Sequence, residues 1–411
     1  MKILMCNSFY YLRGGSERCV FDLSQLLRDH GHEVIPFAMA DSRNKPSPYS
    51  EYFVSNIDFP SRLGNGSSMA DKFGAVERTI NSREAQQKIE QLIIDTKPEI
   101  AHVHGIAHEI SPSILPVIKS AGIPVVQTLH DFKLICPNTS FISHGQVCER
   151  CKKHRYYNVV LNRCKRNSLA ASFLAGLEMT IHKVLQIYEH NVDVFITPSQ
   201  FLKDKLREYG INNQIVHLPN FLRLEHFTPC FETEDYFLYF GRLAPVKGVQ
   251  TLLRAMNSVK TSKLYIVGAG ELGGELQEYA DDHNLDNVEF LGHFDLDELV
   301  SLIQRAAFTI MPSEGYDNYP MSVLESMACG TPVIGSRIGG IPEQIQDGYN
   351  GLLFEPGNAA QLAEKINYLL DNPQQATAFG RNGRRRVEEI NAPEVHYRQT
   401  LALYESLLEN S

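Results

Sequence analysis

The sequence predicts an α/β fold in two halves, each built on a parallel sheet. Short apolar runs alternate with helical patterns through most of the chain, which is typical of parallel strands joined by crossover helices. The length of 411 residues also exceeds what one hydrophobic core usually supports. Each predicted strand ends in a turn that contains Gly, Pro, Ser or His, and ligands of open α/β sheets bind at those carboxyl ends. We therefore expect a cleft between two facing sheet edges.

Predicted strands fall in both halves of the chain. Those of the first half are Lys2–Cys6, Glu33–Ala38, Ile100–His104, Pro124–Leu129 and Val194–Thr197. Those of the second half are Tyr236–Phe240, Lys263–Val267, Val288–Leu291, Phe308–Met311, Pro332–Gly335 and Gly351–Phe354. We expect a first domain over 1–218, a second over 219–392, and a C-terminal helix over 393–411 that packs back on the first. Residues 42–68, rich in Ser, Pro, Asn and Gly, are expected to form a loop.

Composition excludes some functions. A net charge of −9 argues against a nucleic-acid footprint over the whole molecule, so no nucleic-acid partner is expected. The apolar stretch Leu169–Ile187 is interrupted by polar residues and fails as a membrane span. The first residues lead straight into a predicted strand, so no N-terminal signal is expected. We expect a cytoplasmic protein, with peripheral contact at the cytoplasmic face of the inner membrane as a second option.

The segment from Ser313 to Cys329 carries two carboxylates, Asp317 and Glu325, on either side of a loop that becomes a helix. Proline suits the first helical position, so the helix is expected to start near Pro320. Glu325 would then lie roughly 7 Å along the helix from its free first-turn amides. Those amides would face an anion, and the carboxylates would accept hydrogen bonds from sugar or ribose hydroxyls. A helix cap with a solvated second acid is the alternative.

A second segment, Gly241–Gly248, lies between a predicted strand and a helix. Its Arg242 and Lys247, five residues apart, would stand beside the helix N-terminus. Arg bridges two phosphate oxygens as a fork, and Lys adds a mobile point charge. Together they would bind a diphosphate and stabilise it as it leaves, without a divalent metal. Two solvated surface cations are the alternative.

Glycine pairs follow two other predicted strands. Gly268 and Gly270 end one strand, and Gly14 and Gly15 lie between the first strand and a helix whose expected N-cap is Ser16. Such glycines let bare amides approach a ligand. The alternative, favoured for either pair alone, is that the glycines only allow a turn to form.

A histidine ends a further strand of the first half. His130 follows an apolar run and precedes Asp131, which would fix the tautomer of its ring. In that place the ring would hydrogen-bond a hydroxyl or a carbonyl near a reacting centre. His102 and His104 end another strand of the same predicted sheet. Packing of satisfied structural histidines is the alternative.

In their order along the chain, these motifs resemble those of family 4 glycosyltransferases, and the resemblance spans residues 1–390. It is carried by Gly14-Gly15, His130, Gly241-Arg242 with Lys247, Gly268-x-Gly270, the Asp317 to Glu325 segment and Gly330-Thr331-Pro332-Val333. Also similar are Ile338-Gly339-Gly340-Ile341-Pro342-Glu343, Asp347-Gly348 and Gly351-Leu352-Leu353. Each motif is weak alone, and their ordered combination is highly specific.

The resemblance implies the GT-B fold, in which two Rossmann-like domains face each other across a cleft. It also implies transfer of a sugar from a nucleotide diphosphate donor with retention at the anomeric carbon, for which no cofactor is required. No enzyme nucleophile is evident, so a donor phosphate oxygen is the expected base. The catalytic residues it implies are His130, Arg242, Lys247 and Asp317.

The resemblance also assigns contacts to the donor. Arg242 and Lys247 would contact the diphosphate, and Glu325 would hold the ribose hydroxyls. Asp317 and the following amides would bind the donor sugar, with the base held near the backbone of His293. The full predicted donor-contact set is Gly14, Gly15, Arg242, Lys247, Gly268, Gly270, His293, Asp317, Asn318, Tyr319, Pro320, Met321 and Glu325.

One position departs from the family pattern. The family usually has Glu at both ends of the eight-residue spacing, whereas this chain has Asp317 at the first. Asp is one methylene shorter, so the sugar would sit closer or a different hydroxyl would be recognised. The identity of the donor sugar is therefore left open.

Four cysteines follow His130 within a predicted insert at 136–166. A Cys-x-x-Cys pair lets two thiolates reach one tetrahedral ion, and flanking cysteines can complete the site. Structural zinc is the first interpretation, and unligated thiols, an iron–sulfur cluster or a redox pair are the alternatives. The predicted ligands are Cys136, Cys148, Cys151 and Cys164.

Basic residues crowd the same insert, in an otherwise acidic chain. They would meet anionic lipid head groups or a pyrophosphate-linked lipid acceptor, and a solvated loop face is the alternative. The cluster comprises Arg150, Lys152, Lys153, His154, Arg155, Arg163, Lys165 and Arg166.

The sequence thus predicts a retaining hexosyltransferase. Its donor is expected to be a nucleotide diphosphate sugar. Its acceptor is expected to be a lipid-linked oligosaccharide or similar carbohydrate in bacterial surface polysaccharide (lipopolysaccharide) synthesis. A nucleotide-sugar epimerase of similar fold is an alternative. A zinc-stapled, non-catalytic partner that binds nucleotide sugars or anionic surfaces is another.

Overall fold

The structure, a computed structural model, describes residues 1–59, 68–259 and 262–409. Residues 60–67 of the loop predicted over 42–68 lie outside the described residues, as do the last two residues of the C-terminal segment. The chain divides into two compact units. The first comprises Met1–His144, Cys148–Leu218 and Tyr397–Ser411, and the second comprises Gly145–Val147 and Pro219–His396.

The first unit is built on a parallel sheet. Its strands and those of the insert are β1 (Lys2–Cys6), β2 (Glu33–Phe37), β3 (Ile100–Val103), β4 (Val125–Thr128), β5 (Ile142–Ser143), β6 (Gln146–Val147), β7 (Val194–Thr197) and β8 (Gln214–His217). The sheet has the order β2-β1-β3-β4-β7-β8. The helices are Gly15–Asp29, Met69–Asn81, Arg83–Thr96, Ile114–Ser120, Tyr157–Leu161, Leu169–Val184, Ile187–Asn191 and Gln200–Glu208.

The second unit is built on another parallel sheet. Its strands are β9 (Tyr236–Phe240), β10 (Lys263–Val267), β11 (Val288–Gly292), β12 (Thr309–Met311), β13 (Val333–Ser336) and β14 (Gly351–Phe354), in the order β11-β10-β9-β12-β13-β14. The helices are Val249–Met256, Gly273–Asp282, Leu296–Arg305, Met321–Ala328, Ile341–Gln344, Ala359–Asp371 and Pro373–Ile390.

Central strands of both sheets are buried along their whole length, as expected where helices cover both faces of a parallel sheet. Every residue of β4, β7 and β9 is buried. These strands are short apolar runs in the sequence, and the prediction of two α/β halves is confirmed. The two-residue strands β5 and β6 of the insert were not predicted, and neither was one strand of the first sheet, β8. It lies at the edge of its sheet, and only Ile215 among its residues is fully buried, so it lacks the apolar run of an interior strand.

The strand order of each sheet reverses once, at β1/β3 in the first and at β9/β12 in the second. Loops that follow the two strands at such a switch point diverge, which leaves a crevice at the carboxyl edge of the sheet. The sites described below lie at these two edges.

The last helix, Pro393–Glu409, joins the first unit from Tyr397 onward. Its Tyr404 is fully buried, with the hydroxyl 2.5 Å from His102 Nδ1, and Tyr397 lies 2.9 Å from His32 Nε2. The buried Tyr404 and the partly buried Tyr397 thus anchor this helix to residues of the first unit. In the described part of the chain, each helix is too short or too polar to cross a bilayer.

Candidate active site

Two loops at the carboxyl edge of the second sheet bring predicted ligands together. Arg242 and Lys247 follow β9, and Asp317 follows β12. Because β9 and β12 are neighbours, the loops meet, and Lys247 Nζ lies 2.6 Å from Asp317 Oδ1. Ser313 Oγ donates to the other carboxylate oxygen, Oδ2, at 2.5 Å. The Asp317 carboxylate is therefore fixed on both oxygens, by a cation and by a hydroxyl.

Arg242 stands at the start of the first of these loops with an exposed side chain. Tyr239, buried beneath it, donates its hydroxyl to the carbonyl oxygen of Arg242 at 3.0 Å. Burial raises the pKa of Tyr239, the Asp317 carboxylate raises it further, and the Arg242 guanidinium opposes them. Both charged groups therefore lie close to one tyrosine. Within the described residues, the Arg242 guanidinium has no ion pair, so it is free to meet an anion.

The position of Lys247 depends on a tight turn. Lys247 ends the short 3-10 turn Pro245–Lys247, and Gly248 follows with φ of 67° before the helix Val249–Met256 begins. A Cβ on Gly248 would lie 1.9 Å from the carbonyl oxygen of Pro312, so only glycine fits there. The amide of Glu314 also donates to the Val246 carbonyl at 2.9 Å. The two loops are thus held in contact by their backbones.

Gly268 and Gly270 have a packing reason for lacking side chains. A Cβ on Gly268 would lie 2.0 Å from the Gly241 carbonyl oxygen, and one on Gly270 would lie 2.1 Å from that of Leu243. The Leu243 amide also donates to the Ala269 carbonyl at 3.0 Å. Gly268 and Gly270 thus allow their loop to pack against the loop that carries Arg242. Their direct contact with a donor stays a prediction.

The helix that follows Asp317 begins at Met321, one residue later than predicted, with Pro320 as its N-cap at φ −63° and ψ 125°. Glu325 lies within this helix and only 8% of it is exposed, so it is not a solvated acid. Pro320 has no backbone N–H. The prediction that it supplies an amide to the donor sugar is therefore wrong.

Two residues ahead of the helix are buried in different ways. Asn318 is 9% exposed, and Tyr319 is 5% exposed. The Tyr319 ring packs in the core, and its hydroxyl accepts a hydrogen bond from Asn391 Nδ2 at 3.1 Å. Tyr319 therefore has only its backbone to offer a ligand. The predicted role of the Asn318 and Met321 amides is compatible with their place beside Asp317.

His293 follows β11 at the same edge of the second sheet, with its side chain exposed. The Gly268 amide donates to the carbonyl of Gly292 at 2.7 Å, which ties this loop to its neighbour. His293 thus lies on the far side of the Gly268 loop from Arg242. Its contact with a base stays a prediction.

His130 lies in the first unit, after β4. Its Nε2 lies 2.9 Å from Nδ1 of His104, and the two rings stack at 5.2 Å between centroids. Burial lowers the pKa of His130 to about 4, so the ring is neutral at pH 7. Asp131, predicted to fix the tautomer of His130, instead accepts from the Lys133 amide at 2.8 Å. The hydrogen-bonding partner of Nε2 is a second histidine.

A cavity of about 660 Å³ opens at this edge of the first sheet, and His104 and His130 line it. An ion pair that the sequence did not reveal lies in its wall. Lys133 Nζ is 2.7 Å from Glu178 Oε2, and His108 Nδ1 is 3.4 Å from the same oxygen. Glu178 is completely buried. The sequence pattern showed this residue only as an interruption of an apolar helix.

Gly14 and Gly15 also belong to the first unit. The helix begins at Gly15, and Gly14 is its N-cap with an extended backbone. Ser16 lies inside the helix and donates to Glu17 Oε2 at 3.1 Å, so the prediction of Ser16 as N-cap is wrong. The glycine at the N-cap leaves the first-turn amides uncovered by a side chain.

The four cysteines of the insert are neighbours. Burial raises the pKa of Cys151 to about 12, and the thiols of Cys136, Cys164 and Cys148 add to the increase. Burial also raises the pKa of Cys136 and of Cys164. Over residues 1–59, 68–259 and 262–409, no group of three or more His, Cys, Asp or Glu side chains is placed to hold a metal ion. The predicted zinc site thus gains no support.

Comparison with known proteins gives consistent results for both units. The model of the family described as Glycosyltransferase Family 4 matches residues 13–226, and that of Glycosyl transferases group 1 matches residues 224–386. An uncharacterized glycosyltransferase of Methanocaldococcus jannaschii is 27% identical over 303 residues, which cover 73% of this chain and 81% of the relative.

Solved structures share the fold over the whole chain. Sucrose-phosphate synthase from Thermosynechococcus elongatus has a TM-score of 0.73 at 21% identity and covers 100% of both chains. Anabaena HepE in complex with UDP has a TM-score of 0.70 at 17% identity, covering 99% of this chain and 100% of that one.

Proposed function

Because this chain belongs to glycosyltransferase family 4, with the GT-B fold, we propose that it transfers a sugar from a nucleotide diphosphate sugar with retention at the anomeric carbon. The observation that carries the proposal is the cluster of Arg242, Lys247 and Asp317 at the carboxyl ends of β9 and β12. In this cluster the Arg242 guanidinium has no ion pair among the described residues, and the Lys247 ammonium is paired with the Asp317 carboxylate. That combination suits a diphosphate joined to a polyhydroxylated group.

In the proposed reaction, Arg242 and Lys247 neutralise charge that builds on the diphosphate as its bond to the sugar breaks. Interactions that strengthen as charge develops lower the barrier, whereas those made equally with the ground state do not. The acceptor hydroxyl attacks the face just vacated and passes its proton to a phosphate oxygen of the donor. The products are a glycosylated acceptor and a nucleoside diphosphate.

Asp317 and Glu325 are proposed to hold the two hydroxyl-bearing parts of the donor. Glu325 lies about 6 Å along the helix from Met321, so the two acids address different groups of one extended ligand. Asp317 is assigned to the sugar and Glu325 to the ribose. His130, neutral at pH 7, stays a prediction as a contact of the reacting sugar. Gly14 and Gly15 stay predictions as donor contacts.

The nucleotide is proposed to be one of the common diphosphates, and UDP is the first to test because HepE was solved with it. For the acceptor we propose a lipid-linked oligosaccharide or a similar carbohydrate of surface polysaccharide synthesis. The place of transfer would be the cytoplasmic face of the inner membrane.

The test is to incubate the protein with a panel of nucleotide sugars, with and without candidate acceptors, and to measure free nucleoside diphosphate. Transfer predicts release that depends on acceptor, and NMR of the product would show the anomeric configuration of the donor. Conversion of the nucleotide sugar into its epimer in the absence of acceptor would identify an epimerase instead. A protein that binds nucleotide sugar but never turns it over would be a non-catalytic partner.

A further inference from the structure

The helix Leu169–Val184 has two apolar faces. One face packs inside the first unit through residues such as Leu174, Ala175 and Met179. The other carries an apolar stripe that faces solvent, with Leu169 at 55% exposure, Phe173 at 58% and Val184 at 77%. A helix at the surface of a globular protein normally presents charged or polar residues there. The stripe is therefore a surface built for apolar contact.

Spacing confirms that the exposed residues form one continuous stripe. Phe173, Leu177 and Ile181 follow Leu169 at intervals of four residues, and the last two are partly exposed. At 1.5 Å per residue the helix is about 24 Å long. Leu185, at 61% exposure, extends the stripe past the end of the helix.

A short helix, Tyr157–Leu161, widens the surface. It packs on the long helix at Gly176, where an added Cβ would meet the Val159 side chain at 3.0 Å. Its own Tyr157 and Leu161 are 59% and 73% exposed. Two helices thus present apolar side chains side by side.

The charge around this surface is opposite to that of the whole chain. Residues 150–187 hold eight Lys and Arg against the single acid Glu178, which is buried and paired with Lys133, while the whole chain carries −9. Three of these side chains, Lys153, Arg155 and Arg163, are exposed, and in the described part of the chain they have no ion pair. The surface therefore attracts an anion-rich partner.

We propose that the exposed face of helix Leu169–Val184, with helix Tyr157–Leu161 and the basic residues of 150–166, docks on an anionic lipid bilayer. Apolar residues with flanking Lys and Arg are the combination that lies in the interface of such a membrane. A protein partner would explain the stripe, but the unpaired cations favour lipid head groups. The inner face of the same helix lines the 660 Å³ cavity through Ala171 and Ala175, so docking would hold that cavity beside the bilayer.

This inference rests on the proposed function only in so far as the acceptor is lipid-linked. Vesicle binding itself can be measured without donor or acceptor. The experiment is sedimentation of the full chain with vesicles of phosphatidylcholine alone or with one part in three of phosphatidylglycerol. We expect binding to the anionic vesicles, weak binding to the neutral ones, and loss of binding in high salt.

Variants separate the two components of the surface. Replacing both Leu169→Asp and Phe173→Asp should weaken binding at least tenfold, and Arg155→Gln with Arg163→Gln should weaken it about 10- to 30-fold. Matched controls in the second unit are Tyr368→Asp, an exposed apolar residue, and Arg385→Gln, an exposed cation, which should bind as the wild type does. Circular dichroism would confirm that each variant is folded.

Three outcomes would overturn the inference. The first is that the wild type does not bind anionic vesicles, and the second is that the variant at Leu169 and Phe173 binds them as tightly as the wild type does. The third is that the wild type self-associates and this variant does not, which would make the surface a protein interface. Nucleotide binding serves as the separate readout. If it persists while docking fails, only this inference falls, and if it fails while docking holds, the proposed donor chemistry falls.

Discussion

Lys247 and Asp317 lie 70 residues apart in the sequence and form an ion pair, with Nζ 2.6 Å from Oδ1. Both side chains are about one-fifth exposed. In this position the pair holds the lysine beside the sheet edge where a diphosphate would bind, and it gives the carboxylate a fixed direction. A donor that brings a diphosphate to Lys247 and a hydroxyl to Asp317 would satisfy both partners together.

Replacing Lys247 by Ala is expected to lower the rate of transfer by about 100-fold or more, because one preorganised cation at the leaving diphosphate is lost. The protein should stay folded, since the pair is partly exposed and contributes little to stability. Acceptor-dependent release of nucleoside diphosphate measures the change. Lys263→Ala, an exposed lysine at the start of β10, is the control and should behave as the wild type does. Full activity of the Lys247 variant would remove this residue from the mechanism.

Lengthening Asp317 to Glu is expected to change which donor sugar is used, because the carboxylate would move by one methylene toward the ligand. The ratio of transfer rates between two sugars on the same nucleotide should shift, while the Kd of the free nucleoside diphosphate changes less than about threefold. Rates with a panel of sugars and calorimetry with the nucleotide measure the two quantities. An unchanged sugar preference would show that Asp317 does not contact the sugar.

Glu325→Gln is expected to weaken nucleotide binding roughly 10- to 100-fold, because a hydrogen bond from a hydroxyl to a charged carboxylate is replaced by a neutral one. The comparison of a ribose nucleotide with its 2′,3′-dideoxy form sharpens the test. The wild type should discriminate between them more strongly than the variant does. Glu364→Gln, an exposed acid of the same unit, is the control. Equal discrimination by both proteins would place the ribose elsewhere.

Gly270→Ala is expected to destabilise the second unit by about 1–3 kcal/mol, because the added Cβ would overlap a backbone carbonyl that cannot move freely. Gly274→Ala is the matched control. It lies in the helix Gly273–Asp282 with open space around it, so stability should rise by about 0.4–1 kcal/mol. Chemical denaturation of both variants measures this difference. Similar stability of the two would mean that the loops of Gly241 and Gly268 do not pack as described.

His396 gives the stability of the protein a defined pH dependence. Burial lowers the pKa of His396 to about 4, whereas an unfolded histidine titrates near 6.5. Below pH 6.5 the ring of His396 is protonated in the unfolded chain, whereas in the folded chain it stays neutral until the pH approaches 4. The contribution is therefore present above pH 6.5 and is lost as the pH falls toward 4, by about 2 kcal/mol at pH 5.

Chemical denaturation at pH 7 and pH 5 tests this dependence. The free energy of unfolding of the wild type should fall more than that of His396→Gln, which has no titrating ring. His283→Gln removes an exposed ring and serves as the control, so it should follow the wild type. Parallel losses in the wild type and the His396 variant would contradict the assignment.

The fold was predictable because its interior strands are apolar runs, as in β9, where all residues are buried. The edge strand β8 was not, since an edge needs less burial and leaves a weaker pattern. Helix ends were harder. Ser16 looks like a cap, yet Gly14, with an extended backbone, is the N-cap two residues earlier than expected.

The sequence predicted which residues of the site follow individual strands. Arg242, Lys247 and Asp317 were expected at the carboxyl ends of strands. The ion pair between Lys247 and Asp317 was not, because it joins two loops that meet only since β9 and β12 are adjacent in the sheet. The same holds for Lys133 and Glu178, an ion pair across 45 residues that no local pattern encodes. Long-range pairs of this kind depend on strand order, which alternation of apolar runs does not specify.

The central claim is that Arg242 and Lys247 bind the diphosphate of the donor. Calorimetry with the diphosphates and monophosphates of uridine, guanosine and adenosine tests it most directly. The wild type should bind one diphosphate at least tenfold more tightly than its monophosphate. The Arg242→Ala and Lys247→Ala double variant should bind the two with similar, weak affinity. If the double variant keeps the wild-type preference for the diphosphate, these two residues do not bind it.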